Sequence, residues 1–220
     1  MRKAIVTGGA GGIGTAISTA LAAEHEVIVT YQGQRDRAEA LGLRAERFDL
    51  ADPDGAAELL AATGPVDVLV HNAVVWPRGN WREALRANVE GSLALVKAYL
   101  PGMVAAGWGR VVLLSSGVAR SGMRGADGYG AAKAAMHGAA RSLAWDVGPA
   151  GVTVNVVLPG LTATPALDRL PADAVADVIA HTPLRRLPTP EEVAAAVVFF
   201  ASPAASGVTG QELLVDGGRD

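Results

Sequence analysis

Thr7-Gly8-Gly9-Ala10-Gly11-Gly12-Ile13-Gly14 follows a short apolar run, Ala4–Thr7, and opens an Ala-rich stretch with helical character near 13–23. Glycine lets a backbone turn tightly and come close to a pyrophosphate, and a helix N-terminus favours the negative charge. A glycine pattern alone is equally a flexible turn. The strand before it and the helix after it make nucleotide binding the expectation, with Gly8, Gly12, Ile13 and Gly14 at the contact.

The same alternation runs through the chain. Strands are expected at Ala4–Thr7, Val27–Thr30, Arg44–Arg47, Val66–His71, Arg110–Ser115, Val152–Val157 and Leu213–Val215. Most are continuously apolar, as parallel strands covered on both faces are. Helices are expected near 13–23, 34–42, 54–62, 81–105, 129–147, 171–180 and 190–201. This order predicts an α/β fold: one Rossmann-type domain over residues 1–220, a doubly wound parallel sheet of about seven strands flanked by helices. The Gly/Pro-rich stretches Gly117–Gly128 and Pro159–Pro190 read as loops at the strand carboxyl ends, the ligand-binding edge of such sheets.

Composition narrows the chemistry. Half of the 220 residues are hydrophobic, enough for a sizeable core, and the net charge of −3 offers no basic excess for nucleic acid or an anionic membrane. No apolar run reaches the roughly 18–20 residues of a spanning helix, and the N-terminus lacks a signal segment. A cytoplasmic location is therefore expected. With no cysteine, thiolate catalysis and disulfides are excluded, and no metal site is expected.

Tyr129 and Lys133 stand four apart at the head of a helix, so they share a face. A nearby ammonium lowers a phenol's pKa toward the range useful for acid/base catalysis, although an exposed aromatic/cation pair would look the same. Ser115-Ser116 ends the fifth strand; a hydroxyl there either holds a carbonyl oxygen or caps its own backbone. Asn88 falls inside the expected helix 81–105, where asparagine is a poor helix former; it either holds a water or faces solvent. Asp49-Leu50 ends the third strand, where the carboxylate either meets an adenine or caps the next helix. Asn72-Ala73 ends the fourth strand, either tying loops together or starting a turn.

Together these residues resemble the short-chain dehydrogenase/reductase family, above all its 3-oxoacyl-thioester-reductase-like branch, over essentially the whole chain. Thr7-Gly8 with Gly12 and Gly14 are similar to its cofactor fingerprint. Asp49 is similar to its adenine contact, and Asn72-Ala73 to its strand-four motif. Asn88, Ser116, Tyr129 and Lys133 are similar to its catalytic set. Asn155, Pro159-Gly160 and Thr164 resemble the segment embracing the nicotinamide, and Gly210-Gln211 with Val215-Asp216-Gly217-Gly218 the C-terminal signature. The resemblance implies that Tyr129 protonates a carbonyl oxygen as the nicotinamide reduces the carbon. It implies that Ser116 positions that oxygen, that Lys133 lowers the tyrosine pKa and binds the ribose, and that Asn88 holds a relay water. Val74 stands where the family usually has glycine. The segment from Asn72 to Asn88 is shorter than usual, which predicts one side of the cleft more open.

The second strand ends Val29-Thr30-Tyr31-Gln32 without the carboxylate that binds an NAD ribose, and Arg35 and Arg37 follow. NADP(H) is therefore expected over NAD(H), with Gln32 and Arg35 near the ribose, unless both arginines are plain surface charges. Val118, Met123, Leu161, Leu167 and Leu170 suit an apolar ketone, free or carried as a β-ketoacyl thioester. Arg120, Arg124, Arg169, Arg185 and Arg186 could meet an acidic carrier or simply face solvent. An NAD-dependent dehydrogenase running oxidatively and a non-catalytic nucleotide sensor are the alternatives. A homo-oligomer, first a tetramer, is expected from apolar stripes of Ala134, Ala135, Ala139, Leu143 and Trp145 on one helix and Leu93, Leu95, Val96, Tyr99 and Leu100 on another.

Overall fold

The computed structural model describes residues 1–76 and 80–220. Its strands are β1 (Arg2–Thr7), β2 (His25–Tyr31), β3 (Arg44–Arg47), β4 (Val68–His71), β5 (Gly109–Leu114), β6 (Val152–Pro159) and β7 (Glu212–Val215). They form one seven-stranded sheet in the order β3-β2-β1-β4-β5-β6-β7, and every pairing is parallel. Parallel neighbours need long crossovers, and helices supply them. These are α1 (Gly12–Leu21), α2 (Arg35–Glu39), α3 (Gly55–Thr63), α4 (Trp81–Leu85), α5 (Ser92–Ala105), α6 (Val118–Ser121), α7 (Asp127–Val147), α8 (Ala172–Ala180) and α9 (Pro190–Ala201). The winding reverses at β1, which pairs with β2 on one side and β4 on the other. The crevice at the carboxyl ends of β1 and β4 is thus the switch point of the sheet.

The strands are apolar on both faces because both faces are covered. On one, Ile5, Leu69 and Val111 pack with Leu59, Leu95, Tyr99 and Met136 from α3, α5 and α7. On the other, Val6, Val70 and Val112 meet Ile17, Val193, Val197 and Phe200 from α1 and α9. Full burial of one such side chain contributes about 1.5–3 kcal/mol.

The expected helix 81–105 is not continuous. Between α4 and α5 the chain makes a π-helical turn, Arg86–Gly91. Asn88 sits in it, with its side chain clamped to Val75 across the loop. Gly91 abuts the Leu50 carbonyl oxygen so closely that a Cβ there would lie 2.2 Å away. Two tethers thus hold the turn, and such turns frequently mark functional sites. The stretch 117–128, expected as loop, contains the short helix α6, and α2 covers only part of 34–42.

Burial corrects the expected interface stripes. Leu95, Val96, Tyr99 and Leu100 belong to the chain's own core, as does Leu143. The Tyr99 hydroxyl is engaged internally, 2.7 Å from that of Thr63. A 3.6-residue periodicity identifies an apolar face but cannot say whether sheet or second subunit covers it; here the sheet does.

Candidate active site

The glycine loop leaves β1 with Gly8 at φ +62°, a left-handed conformation that suits glycine. The Gly8 N–H donates to the Thr30 hydroxyl at the end of β2, 3.1 Å away. Gly14 lets α1 approach the loop: a Cβ there would come within 2.2 Å of the Gly8 carbonyl oxygen. The N-cap of α1, Gly11, contributes no side-chain acceptor, so the positive helix end is left for an anion. Across the cleft, Thr164 lies against Gly12, where a Cβ would be 3.0 Å from its side chain. The cleft between them is about 580 Å³, is lined by Asn72, Ala73, Tyr129, Gly160, Leu167 and Leu170 among others, and has no charged side chain in its lining. A cradle open only because its residues lack a Cβ, at a bare helix N-terminus, fits the pyrophosphate of a dinucleotide.

A buried hydrogen-bond chain runs behind this loop. The amides of Asn72 and Ala73 donate to Thr7 Oγ1 at 3.1 and 3.0 Å. Thr7 Oγ1 is 2.8 Å from His71 Nδ1, and His71 Nε2 is 2.7 Å from Ser92 Oγ. Ser92 Oγ donates to the Asn88 carbonyl oxygen at 2.8 Å. The Ser92 proton is thereby used, so His71 Nε2–H donates to Ser92 and Nδ1 accepts from Thr7, which satisfies every member with a neutral imidazole. Burial, with Lys133 adding repulsion, pushes the His71 pKa down to about 3. The chain links the glycine loop to the π-turn. Asn72 strengthens the link by donating through Nδ2 to the carbonyls of Thr7 and Gly8; it ties loops together.

The two serines after β5 diverge. Ser115 is buried against α7, 3.0 Å from the Lys133 carbonyl oxygen and 2.7 Å from His137 Nε2, while His137 Nδ1 lies 3.1 Å from the Glu212 carboxylate. The Ser116 hydroxyl lies near the Tyr129 phenol and accepts from the Val118 amide at 3.3 Å. Burial pushes the Tyr129 pKa above its usual value, and the Ser116 hydroxyl pulls it partly back. Lys133 shares the helix face with Tyr129, as the spacing suggests, and is anchored from behind. Its Nζ donates to the Leu114 carbonyl oxygen at 2.6 Å and lies 5.9 Å from the Tyr129 ring centre. Its own pKa is pushed down to about 8 by burial. The phenol is therefore protonated at neutral pH, the form in which it can donate.

Several expected contacts are arranged differently. The Thr7 side chain is fully buried, so it supports the loop from behind. Leu50 lies in the core. Asp49 accepts from the Ala51 amide at 3.0 Å, a local turn that leaves the cap of α3 to Asp54. Asn155 is buried and pins the segment before β7, accepting from Gln211 and donating to Val208. The Asn88 side chain is occupied by Val75: its Oδ1 accepts from the Val75 amide at 2.8 Å and its Nδ2 donates to the Val75 carbonyl at 2.7 Å. Pro159 closes β6, and its carbonyl accepts from Gly117 beside Ser116. Gln32 is exposed beyond β2, and Arg35 is paired with Glu39 at 2.7 Å. Arg186 forms a fork with Glu192 at 2.6 and 2.7 Å and serves the fold of the loop before α9.

The sequence reading missed three contributors. His71 and Ser92 carried no motif signal; only their places at the end of β4 and four residues beyond Asn88 pointed to them. Arg47, at the carboxyl end of β3, is the register partner of Tyr31 and adds a cation near the end of β2. Beside the cleft, the segment 72–88 carries an aromatic contact that the sequence did not single out. Trp76 packs on Tyr129 with ring centres 4.5 Å apart; residues 77–79 lie outside the described part of this segment. Among the described residues, no group of His, Asp and Glu side chains could hold a metal ion, and no helix is long and apolar enough to cross a membrane.

Residues 8–220 match a family model described as enoyl-(acyl carrier protein) reductase. A cis-4-hydroxycyclohexanecarboxylate dehydrogenase from Sinomonas cyclohexanicum is 40% identical, with 99% of this chain and 96% of the relative covered. An acetoacetyl-CoA reductase from Rhizobium meliloti is 36% identical, with 99% and 98% covered. The crystal structure of a 3-oxoacyl-[acyl-carrier protein] reductase from Brucella melitensis superimposes with a TM-score of 0.88 at 30% identity, covering 99% of this chain and 90% of that one.

Proposed function

The chain belongs to the short-chain dehydrogenase/reductase family, an oxidoreductase acting on CH–OH/C=O groups, and from that premise we propose that it is an NADPH-dependent ketone reductase. The observation carrying this reading is the Tyr129 phenol, protonated and with the Ser116 hydroxyl near it, in the lining of the glycine-loop cleft. When bound, the nicotinamide dinucleotide supplies the electron pair that reduces the carbonyl carbon. Gly8, Gly12, Ile13 and Gly14 would hold its pyrophosphate, and Asn72, Ala73, Gly160 and Thr164 its nicotinamide end. Ser116 orients the carbonyl oxygen, and Tyr129 donates the proton that oxygen needs. Lys133, anchored on the Leu114 carbonyl, would bind the ribose with its remaining ammonium protons. Asn88 holds Val75 with its side chain, while its backbone carbonyl receives the relay from Ser92.

A protonated phenol is the form that reduction consumes, whereas oxidation starts from a phenolate. The substrate is a small carbonyl compound, free or carried as a thioester. The absence of a carboxylate after Thr30, with Arg35, Arg37 and Arg47 nearby, supports NADPH. The protein works in the cytoplasm as a homo-oligomer. Trp145, 86% exposed on α7 beside Arg141 and Pro149, supports a contact at that helix.

Tyr129→Phe tests the reading. It keeps the ring and removes only the transferable proton, so ketone reduction falls by about 10²–10⁴ while NADPH affinity changes little. Near-normal turnover in this variant would sink the assignment.

A further inference from the structure

The aromatic pair at the mouth of the site has a use that proton transfer does not require. Trp76 sets its indole 4.5 Å from the Tyr129 ring, with the planes tilted by 45°. The contact leaves Trp76 55% exposed, so part of its surface remains free beside the reacting phenol. Its position is built. The preceding residue, Val75, is held through both its amide and its carbonyl by the Asn88 side chain. On the far side, Gly128 lets Trp81 approach α7 so closely that a Cβ on Gly128 would lie 2.8 Å from the Trp81 Cα. The described segment after β4 is thus held at Val75, directly before the indole that reaches Tyr129.

We propose that Trp76 is a specificity-determining wall of the substrate pocket and that it selects cyclic and aryl ketones over open-chain ones. The inference rests on the ketone-reductase reading above. A substrate with its carbonyl at the Tyr129 hydroxyl has its carbon skeleton beside the indole. Leu161, Leu167 and Leu170 line the cleft that Tyr129 also lines, with no charged group in that lining, and Trp76 stands beside it on the Tyr129 ring. A ring presents a preformed face to an aromatic wall and has few rotors to freeze, whereas an open chain must lose several to cover the same area.

The experiment compares cyclohexanone, acetophenone and hexan-2-one as substrates with NADPH, for the wild type, Trp76→Ala and Trp76→Phe. The wild type shows a higher kcat/KM for the two ring ketones. Trp76→Ala lowers the ring-to-chain ratio of kcat/KM by about three- to tenfold, the range of an aromatic contact, mainly through KM. Trp76→Phe restores most of the ratio, which separates a lost wall from a disturbed fold. A wild-type preference for hexan-2-one, or a ratio unchanged in Trp76→Ala, overturns the inference and leaves the ketone-reductase reading standing. A wild type that binds NADPH but reduces none of the three ketones overturns that reading instead, and the inference with it.

Discussion

Behind the glycine loop, Thr7, His71 and Ser92 form an unbroken buried chain in which each polar group has its partner. The opposite wall is made another way. Between Thr162 and Thr182, both buried, no residue is buried at all, and α8 lies wholly within that span. One wall is held by hydrogen bonds in a medium where leaving one unmade is costly; the other presents carbon and charge to solvent between two anchors. The two walls do different work. Proton transfer needs groups held to fractions of an ångström, which only a satisfied, packed network supplies. A wall without such a network can adjust to what it meets.

The largest expected effect is in hydrogen exchange. Amides of β1 and β4 open only with the whole fold, whereas those of α8 open locally, because few buried contacts hold them. Protection should differ by about 10⁴-fold or more, the span between local opening and a global stability of at least about 5 kcal/mol. Protection in α8 matching that of β4 would break the comparison.

Next comes the acid sensitivity of the buried chain. A histidine in the unfolded state titrates near 6.5, while in the fold His71 is pushed down to about 3. Between those values the unfolded chain binds a proton that the folded chain refuses. The contribution of neutral His71 is complete above about pH 6.5 and is lost as the pH falls toward 3, at about 1.4 kcal/mol per unit. Urea unfolding at pH 7 and pH 5 should therefore show a smaller acid loss in His71→Asn than in the wild type. Ser92→Ala, which leaves His71 Nε2–H without its acceptor, should cost about 1–3 kcal/mol at pH 7. Equal acid losses in wild type and His71→Asn would remove His71 from the account.

The contrast between the walls also explains what was legible in the sequence. Seven strands, their parallel pairing and the binding edge followed from apolar runs alternating with helical stretches, because parallel strands buried on both faces leave that pattern. Gly8, Gly14, Ser116 and Tyr129 were legible because backbone approach and proton chemistry demand particular residue types. The interruption at Arg86–Gly91 was not, because a π-turn is set by tethers from Val75 and Leu50, distant in sequence. The Lys133–Tyr129 spacing made a shared helix face legible, but not where the ammonium is anchored. Burial and the Leu114 carbonyl, which govern the two groups, lie on another element. Trp76 was passed over because an aromatic residue after a strand has many uses, and only its contact with Tyr129 singles one out.

The smallest expected effect lies at the end of β2, where the groups meeting a ribose phosphate are as exposed as the substrate wall. Arg35 is committed to Glu39 at 2.7 Å, and that carboxylate raises its pKa further. Arg37 makes no ion pair among the described residues, and Arg47 lies beside Tyr31 in the strand register. A phosphate recruiting Arg35 must compete with Glu39, whereas Arg37 and Arg47 meet it without that competition. The wild type should prefer NADPH by kcat/KM. Arg37→Ala should lower that preference by about three- to fivefold and Arg35→Ala by about twofold, the scale of exposed ion pairs. Glu39→Gln, which releases Arg35, should raise the preference by about twofold in turn. Such a gain distinguishes a restrained cation from one that never reaches the cofactor, since in the second case Glu39→Gln changes nothing. A wild-type preference for NADH would assign the ribose diol to Tyr31 or Gln32 and make all three arginines ordinary surface charges.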